Sequence, residues 1–240
     1  MKRKKSEIPF VNFHSHTTFS VFDGMGYPED HMNFVWQNGG DAMAITDHGN
    51  MNGLAHQVDA YKKMYQEGKE FKPIFGIEAY FIPSVANWKE EYEQAREDKK
   101  RAKASAISIE DEDASRKNLK GILNRRNHII ILAQNQKGLS NLFKVVSKSF
   151  RGDNFYRYPR VDYRLLKKYN EGLIASSACI GGIYGRSYWQ YREDGPEAIL
   201  NAMRLTTEKM MKIFGDRWHG ELQWNSIPEQ HIINKYIIQI

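Results

Sequence analysis

Short β-branched and aromatic runs alternate along the chain with helical patterns, and this alternation constrains the fold more than any other feature. "FVNF" (10–13), "AMAIT" (42–46), "PIFGIEAYFI" (73–82), "HIIILA" (128–133), "GLIASSA" (172–178) and "GELQW" (220–224) read as strands. Between them, "YPEDHMNFVWQNG" and "GLAHQVDAYKKMYQEG" carry helical spacing and stop at glycine. "GPEAILNAMRLTTEKMMKIFG" has Pro196 in its first turn and Gly215 at its end, while "KGLSNLFKVVSKSF" and "VDYRLLKKYN" complete the helices. Strands alternating with helices imply mostly parallel pairing with the helices outside. Six such units without a phosphate-loop signature fit a (β/α) barrel better than an open nucleotide-binding sheet.

The chain has 240 residues, enough to bury a sizeable core without staples. A single cysteine, Cys179, excludes an intramolecular disulfide and suits a reducing cytosol. No apolar run has the length of a bilayer span, and "MKRKK" lacks the apolar stretch of a signal peptide, so a soluble cytoplasmic protein without membrane contact is expected. A net charge of +6 is compatible with nucleic-acid or nucleotide partners, and equally with many ordinary enzymes. One stretch, 88–126, breaks the alternation: it is dense in Glu, Asp, Lys and Arg. Mixed charge without apolar periodicity reads as a solvated, partly helical insertion. Its basic clusters, Lys99 to Lys103 and Arg125–Arg126, could instead meet a phosphate backbone, a reading weakened by the acidic "EDED" between them.

In a barrel of parallel strands, reactive groups gather at the carboxyl ends of the strands. The first strand ends in His14-Ser-His16 and the second in "TDHGN", which supplies Asp47 and His48. The third run holds Glu78 and the fifth ends at Cys179. These residue types are ligands for zinc, manganese and iron. In an extended segment residues i and i+2 point the same way, so His14 and His16 can share a pocket. Alone, a His-x-His is more often incidental, and Cys179 alone would be a small buried residue. Asp47 reads as a helix cap or a support for its neighbour. His31, His56, His219 and His231 read as surface or structural. His128 opens its strand rather than closing it: either that strand runs against its neighbours, or this histidine lies outside the site. No Gly-x-Ser-x-Gly elbow, Walker lysine loop or dinucleotide fingerprint is present.

"FHSHTTFSVFDG", "AMAITDHGNMNG", "KPIFGIEAYF", "HIIILAQNQKGLSNLFKVVS", "YPRVDYRLLKKYNEGLIASSACIGG" and "IFGDRWHGELQWNSIPEQ" resemble, in order, the N-terminal polymerase-and-histidinol-phosphatase (PHP) domain of bacterial DNA polymerase III alpha subunits. The resemblance runs from about Pro9 to the end, interrupted by the charged insertion. It implies one PHP domain over 1–240: an α/β fold, a distorted (β/α)7 barrel, here incomplete at its C-terminal strand. It also implies up to three divalent metals (Zn, Mn or Fe) held by nine ligands. His14, His16, Asp23, His48, Glu78, His128 and Cys179 take seven of those positions, with His14, His16 and Glu78 at the catalytic centre. The family's last two ligands, in an Asn-Asp-x-His block, do not occur in this chain, nor do the polymerase palm and fingers. The resemblance therefore implies part of a replicative DNA polymerase whose barrel is a metal-dependent phosphoesterase, of 3′–5′ exonuclease or pyrophosphatase type. This chain alone is expected to be weakly active or inactive. DNA, nucleotides and an exonuclease subunit of the replicase are the implied partners. The rival readings are a stand-alone phosphatase of the same superfamily and a structural platform for an exonuclease subunit.

Overall fold

The computed structural model describes residues 5–8, 10–105 and 109–240. The basic start of the chain through Lys4, Pro9 at the beginning of the resemblance, and 106–108 inside the charged stretch lie outside the described residues. The strands are β1 (Ala42–Ile45), β2 (Lys72–Phe81), β3 (Asn127–Ala133), β4 (Phe155–Tyr156), β5 (Tyr158–Val161), β6 (Leu173–Ser176) and β7 (Trp218–His219). Nine helices accompany them among the described residues: α1 (Pro28–Gln37), α2 (Leu54–Gln66), α3 (Val85–Ser105), α4 (Ile109–Asn124), α5 (Gln136–Ser149), α6 (Tyr163–Tyr169), α7 (Ile183–Tyr191), α8 (Pro196–Phe214) and α9 (Pro228–Ile237).

The ladder runs β4-β5-β2-β3-β6-β7, with β1 also paired to β2. β2 can serve three partners because it is long: Lys72–Phe75 pairs with β1, and Tyr80–Phe81 pairs with β5. The other edge of β2 takes β3. Pairing is not mostly parallel. β3 runs antiparallel to both β2 and β6, because the charged insertion between β2 and β3 is itself a pair of helices that returns the chain to the end it left. The sheet is open. "FVNF" forms only one bridge, Asn12 with Met43, although Ala44 N–H also donates to Asn12 O at 2.7 Å. "GELQW" carries no ladder: pairing with β6 is made just before it, by Trp218 and His219. The segment beside β1 and the residues after β7 meet through side chains instead, His14 Nδ1 lying 2.7 Å from Glu221 Oε1.

Alternation along β2 sorts its side chains. Ile77, Ala79 and Phe81 face the main core with Ile129 and Ile131 of β3, and this face is covered by apolar residues of α5, α6, α7, α8 and α9. α5 shows why such helices form: Asn135 caps it by accepting from Gly138 N–H, and Leu142 and Val145 are buried on its inner side. Even-numbered positions face the concave side, where Ala44, Ile130, Leu132 and Ala178 make a smaller apolar floor. A third cluster, with Met32, Ala60 and Met64, packs α1 and α2 on β1.

The charged insertion is more ordered than its composition suggests. α3 and α4 pair, and Ile82, Val85, Trp88, Ala95, Ile122 and Leu123 form a cluster at their base. Arg160 on β5 fastens this base to the sheet. Its fully buried guanidinium donates to the carbonyls of Leu123, Tyr156 and Tyr158 and lies 4.0 Å from the ring centroid of Trp88. Burial pulls its pKa down to about 10, and neighbouring Arg126 adds to the effect. Arg160→Met removes the donors of three carbonyls, so we expect a stability loss of about 3 kcal/mol in urea unfolding. A loss under about 1 kcal/mol would contradict the role given to Arg160.

Candidate metal centre

Glu78 projects from the concave face of β2 and is fully buried. Four imidazoles surround its carboxylate. Oε1 lies 2.9 Å from His128 Nδ1 and 3.4 Å from His14 Nε2, and Oε2 lies 2.8 Å from His48 Nδ1 and 3.0 Å from His16 Nε2. Cys179 Sγ is 3.7 Å from both Glu78 Oε1 and His128 Nδ1. Asp23 Oδ2 approaches His48 Nε2 to 2.5 Å at the more exposed side. The seven residues expected as ligands therefore lie together. The antiparallel course of β3 is what brings His128 there: its amino end adjoins the end of β2, with His128 opposite Tyr80.

The backbone is specialised where it delivers these groups. Phe22 and Ala178, immediately before Asp23 and Cys179, have φ of 70° and 57°. Non-glycine residues seldom adopt this region, and it costs of order 1 kcal/mol or more each. Gly49 follows His48 with φ of +66°, and a Cβ there would lie 2.9 Å from the Tyr80 ring. Glycine lets the chain turn away while the His48 ring stacks on Tyr80 at 5.9 Å.

Neighbouring groups decide which ring nitrogens face the centre. Ser20 Oγ donates its proton to Asp47 Oδ1 at 2.8 Å and accepts from His48 N–H at 3.0 Å. Toward His16 Nδ1, at 2.9 Å, the hydroxyl can then only accept. His16 is thereby set with its proton on Nδ1 and a bare Nε2 turned to Glu78. Asp47 also accepts from Thr17 N–H and Thr17 Oγ1, so it holds this loop rather than capping a helix. His14 Nδ1 donates to Glu221 Oε1, and Ser176 Oγ and Gln223 Nε2 donate to the same carboxylate. His14 Nε2 is left facing His16 Nε2 at 3.1 Å.

Glu221 is the residue that sequence reasoning missed. An acidic side chain just after a strand was its only signal, hidden by reading "GELQW" itself as the strand. His31 bonds to the Met25 carbonyl, His56 packs near Phe19 and Tyr27, and His231 meets Trp224, all outside the cluster. His219 sits on β7, exposed.

The electrostatics show strong coupling. Burial opposes charge on His14, but Glu221 and Glu78 outweigh it and raise its pKa to about 10. Burial likewise opposes charge on His48, whose pKa Glu78 and Asp23 raise. Burial would push Glu78 up, yet the surrounding imidazoles hold it far below the usual carboxylate range. Glu221 is lowered by His14 against its own burial. Burial and the Glu78 charge push the Cys179 thiol up to about 12.

Two atoms here, Glu78 Oε2 and His48 Nδ1, are buried without a well-directed hydrogen bond despite their 2.8 Å separation. Three overlapping groups could each hold a metal ion with ligand atoms within 4.8 Å of one another. They are His14, His16 and Glu78; His16, Asp23 and His48; and His48, Glu78 and His128. Glu78 belongs to two of them.

The family profile described as the PHP domain matches residues 12–224. The chain belongs to the PHP family. Curated relatives of this PHP chain include the DNA polymerase III subunit alpha of Aquifex aeolicus, 35% identical over 234 residues, which are 96% of this chain and 17% of the relative. Those of Thermus aquaticus (97% of this chain) and Borreliella burgdorferi (96%) are each 32% identical, and the match covers 16% of each relative. The chain is thus homologous to the N-terminal region of DNA polymerase III alpha subunits and spans about one sixth of the length of these relatives. A solved structure from Bifidobacterium adolescentis aligns over 95% of both chains at 13% identity, with a TM-score of 0.37 that is too low to bear on the site.

The sign of the pH dependence follows from His14. Its folded pKa is raised from 6.5 to about 10, so its contribution is full below pH 6.5 and lost as pH rises toward 10. In chelator-treated protein the urea midpoint should therefore fall between pH 6.5 and 10, and Glu221→Gln should move that fall to lower pH. A midpoint independent of pH over this range would contradict the coupling.

Proposed function

We propose that the Glu78 cluster binds divalent cations and that this PHP domain is a metal-dependent phosphoesterase within a bacterial replicative polymerase alpha subunit. The observation that carries the reading is the Glu78 carboxylate between four imidazole nitrogens, with Oε2 and His48 Nδ1 lacking aligned hydrogen bonds. Imidazole nitrogens and carboxylate oxygens converging within coordination range, two of them without directed hydrogen bonds, suit a cation better than they suit one another. The donor set would suit zinc, manganese or iron in up to three positions, held by His14, His16, Asp23, His48, Glu78, His128 and Cys179. Bound cations would supply an activated water and neutralise charge developing on a phosphoryl group.

The chain's own residues then have distinct tasks. Glu221 and the Ser20–Asp47 pair keep Nε2 of His14 and His16 turned inward. Asp23 and His48 form the solvent side, and His128 with Cys179 forms the opposite side. Because Cys179 sits near a pKa of about 12, it is a protonated thiol at neutral pH and releases that proton if it ligates a cation. In the whole polymerase, nucleotidyl transfer on DNA belongs to residues beyond this PHP chain, and an exonuclease subunit is a proposed partner.

Dialysis against Zn(II) or Mn(II) followed by elemental analysis tests the reading. We expect at least one ion retained per chain, a rise in thermal midpoint on loading, and at least tenfold weaker retention in Glu78→Gln. Any phosphodiester hydrolysis should vanish with chelator and in Glu78→Gln. Absence of retained ion after reconstitution with zinc, manganese and iron would overturn it.

A further inference from the structure

α9 carries two amides where a helix packed on a core usually carries aliphatic side chains. Its buried residues are Gln230, Ile233 and Asn234, and of these only Ile233 belongs to the main apolar core. Gln230 is fully buried and Asn234 nearly so. A buried amide is unfavourable unless its hydrogen bonds are made. Gln230 Nε2 donates to Asn234 Oδ1 at 2.9 Å, one turn along the same helix face. That contact fixes which end of the Asn234 amide is the donor. Asn234 Nδ2 then donates to the Gln223 carbonyl at 2.8 Å. The arrangement stands although Gln230 Oε1 is left buried without a partner.

The segment held in this way is the one that reaches the candidate metal centre. Residues 221–224 have no ladder to fix them, so side chains do so. Glu221 N–H donates to Ser177 Oγ at 2.9 Å, and Ser176 Oγ donates to Glu221 Oε2 at 2.6 Å. These contacts hold the start of the segment, and Asn234 holds it two residues on. α9 also presses on the chain just before it. A Cβ on Gly220 would lie 2.6 Å from Ile237 Cγ2, so only glycine lets the helix come this close.

Burial alternates along the segment: Leu222 and Trp224 are exposed, while Glu221 and Gln223 are turned in. Gln223 Nε2 donates to Glu221 Oε1 at 2.9 Å and lies 3.1 Å from His14 Nδ1, which donates to the same oxygen at 2.7 Å. An unbroken run of contacts thus leads from the inside of α9 to a ring nitrogen of His14. Aliphatic residues at 230 and 234 would spare the helix its buried amides, but they would release Gln223.

We propose that Asn234, set by Gln230, is a positioning residue for the metal centre. It fixes Gln223, and through Gln223 the Glu221 carboxylate that keeps His14 Nε2 turned inward. The inference rests on the cation-binding reading and deepens it, by making the site depend on a helix that supplies none of the ligand residues.

The double variant Gln230→Leu with Asn234→Leu tests this, because it removes all the buried amide ends together. In chelator-treated protein its thermal midpoint should stay about that of wild type. Zinc affinity, measured by competition with a chromophoric chelator, should fall about tenfold. In nitrogen-15 NMR of the metal-free chain, the His14 Nδ1–H signal should shift or broaden while the His128 signals stay in place. A purely structural role would lower the midpoint and leave the His14 signals unmoved. Unchanged His14 signals overturn the proposal, as does unchanged zinc affinity. If circular dichroism shows the double variant unfolded, Asn234→Ala is read in the same way. If wild type itself retains no zinc, the metal reading fails, and the His14 signals still decide the role of Asn234.

Discussion

The buried carboxylate of Glu78 is the constraint on which the rest of the structure depends. An ionised carboxyl with no exposure is costly unless charge and hydrogen bonds surround it. Here the compensation comes from histidines at 14, 16, 48 and 128, carried by segments far apart in sequence. Folding must therefore bring the first segment, the turn after β1 and the amino end of β3 to one place. The antiparallel course of β3 is the topological price of including His128, and the helical pair α3–α4 is the connection that allows it.

Around that core lies a set of residues whose work is orientation. Ser20 and Asp47 fix one imidazole, Glu221 fixes another, and Asp23 meets a third. The left-handed Phe22 and Ala178 place unfavourable backbone next to Asp23 and Cys179, which locates local strain where side-chain direction matters most. The same His14–Glu221 contact also joins the segment beside β1 to the residues after β7. Site chemistry and architecture share one interaction there.

Much of this was legible in the sequence because strand alternation is a local signal. β1, β2, β3 and β6 largely coincide with apolar runs; His14, His16 and His48 stand where such runs end, and Glu78 stands inside the third. The direction of β3 could not be read, since periodicity carries no information about orientation; His128 was ambiguous for that reason alone. β4, β5 and β7 are short, and α7 has a weak pattern interrupted by Gly185 and Ser187. Glu221 escaped notice because its importance arises from a contact 207 residues away. The charged insertion misled through composition: its few apolar residues, Trp88, Ile122 and Leu123 among them, gather at the base where Arg160 anchors them. Membership of the PHP family was carried by motif blocks, and those motifs coincide with the clustered residues.

No helix among the described residues is long and apolar enough to span a bilayer. The central claim is that imidazole nitrogens around Glu78 are turned inward to take up a cation, which would displace the proton that His14 carries without one. Nitrogen-15 NMR of the histidine side chains, recorded as Zn(II) is added to the chelator-treated chain, tests it most directly. The expected result is an Nδ1-protonated His16 throughout, with zinc-induced shifts at Nε2 of His14 and His16 and at Nδ1 of His48 and His128. Unchanged shifts at those four nitrogens, or His16 protonated on Nε2 alone, would contradict the account.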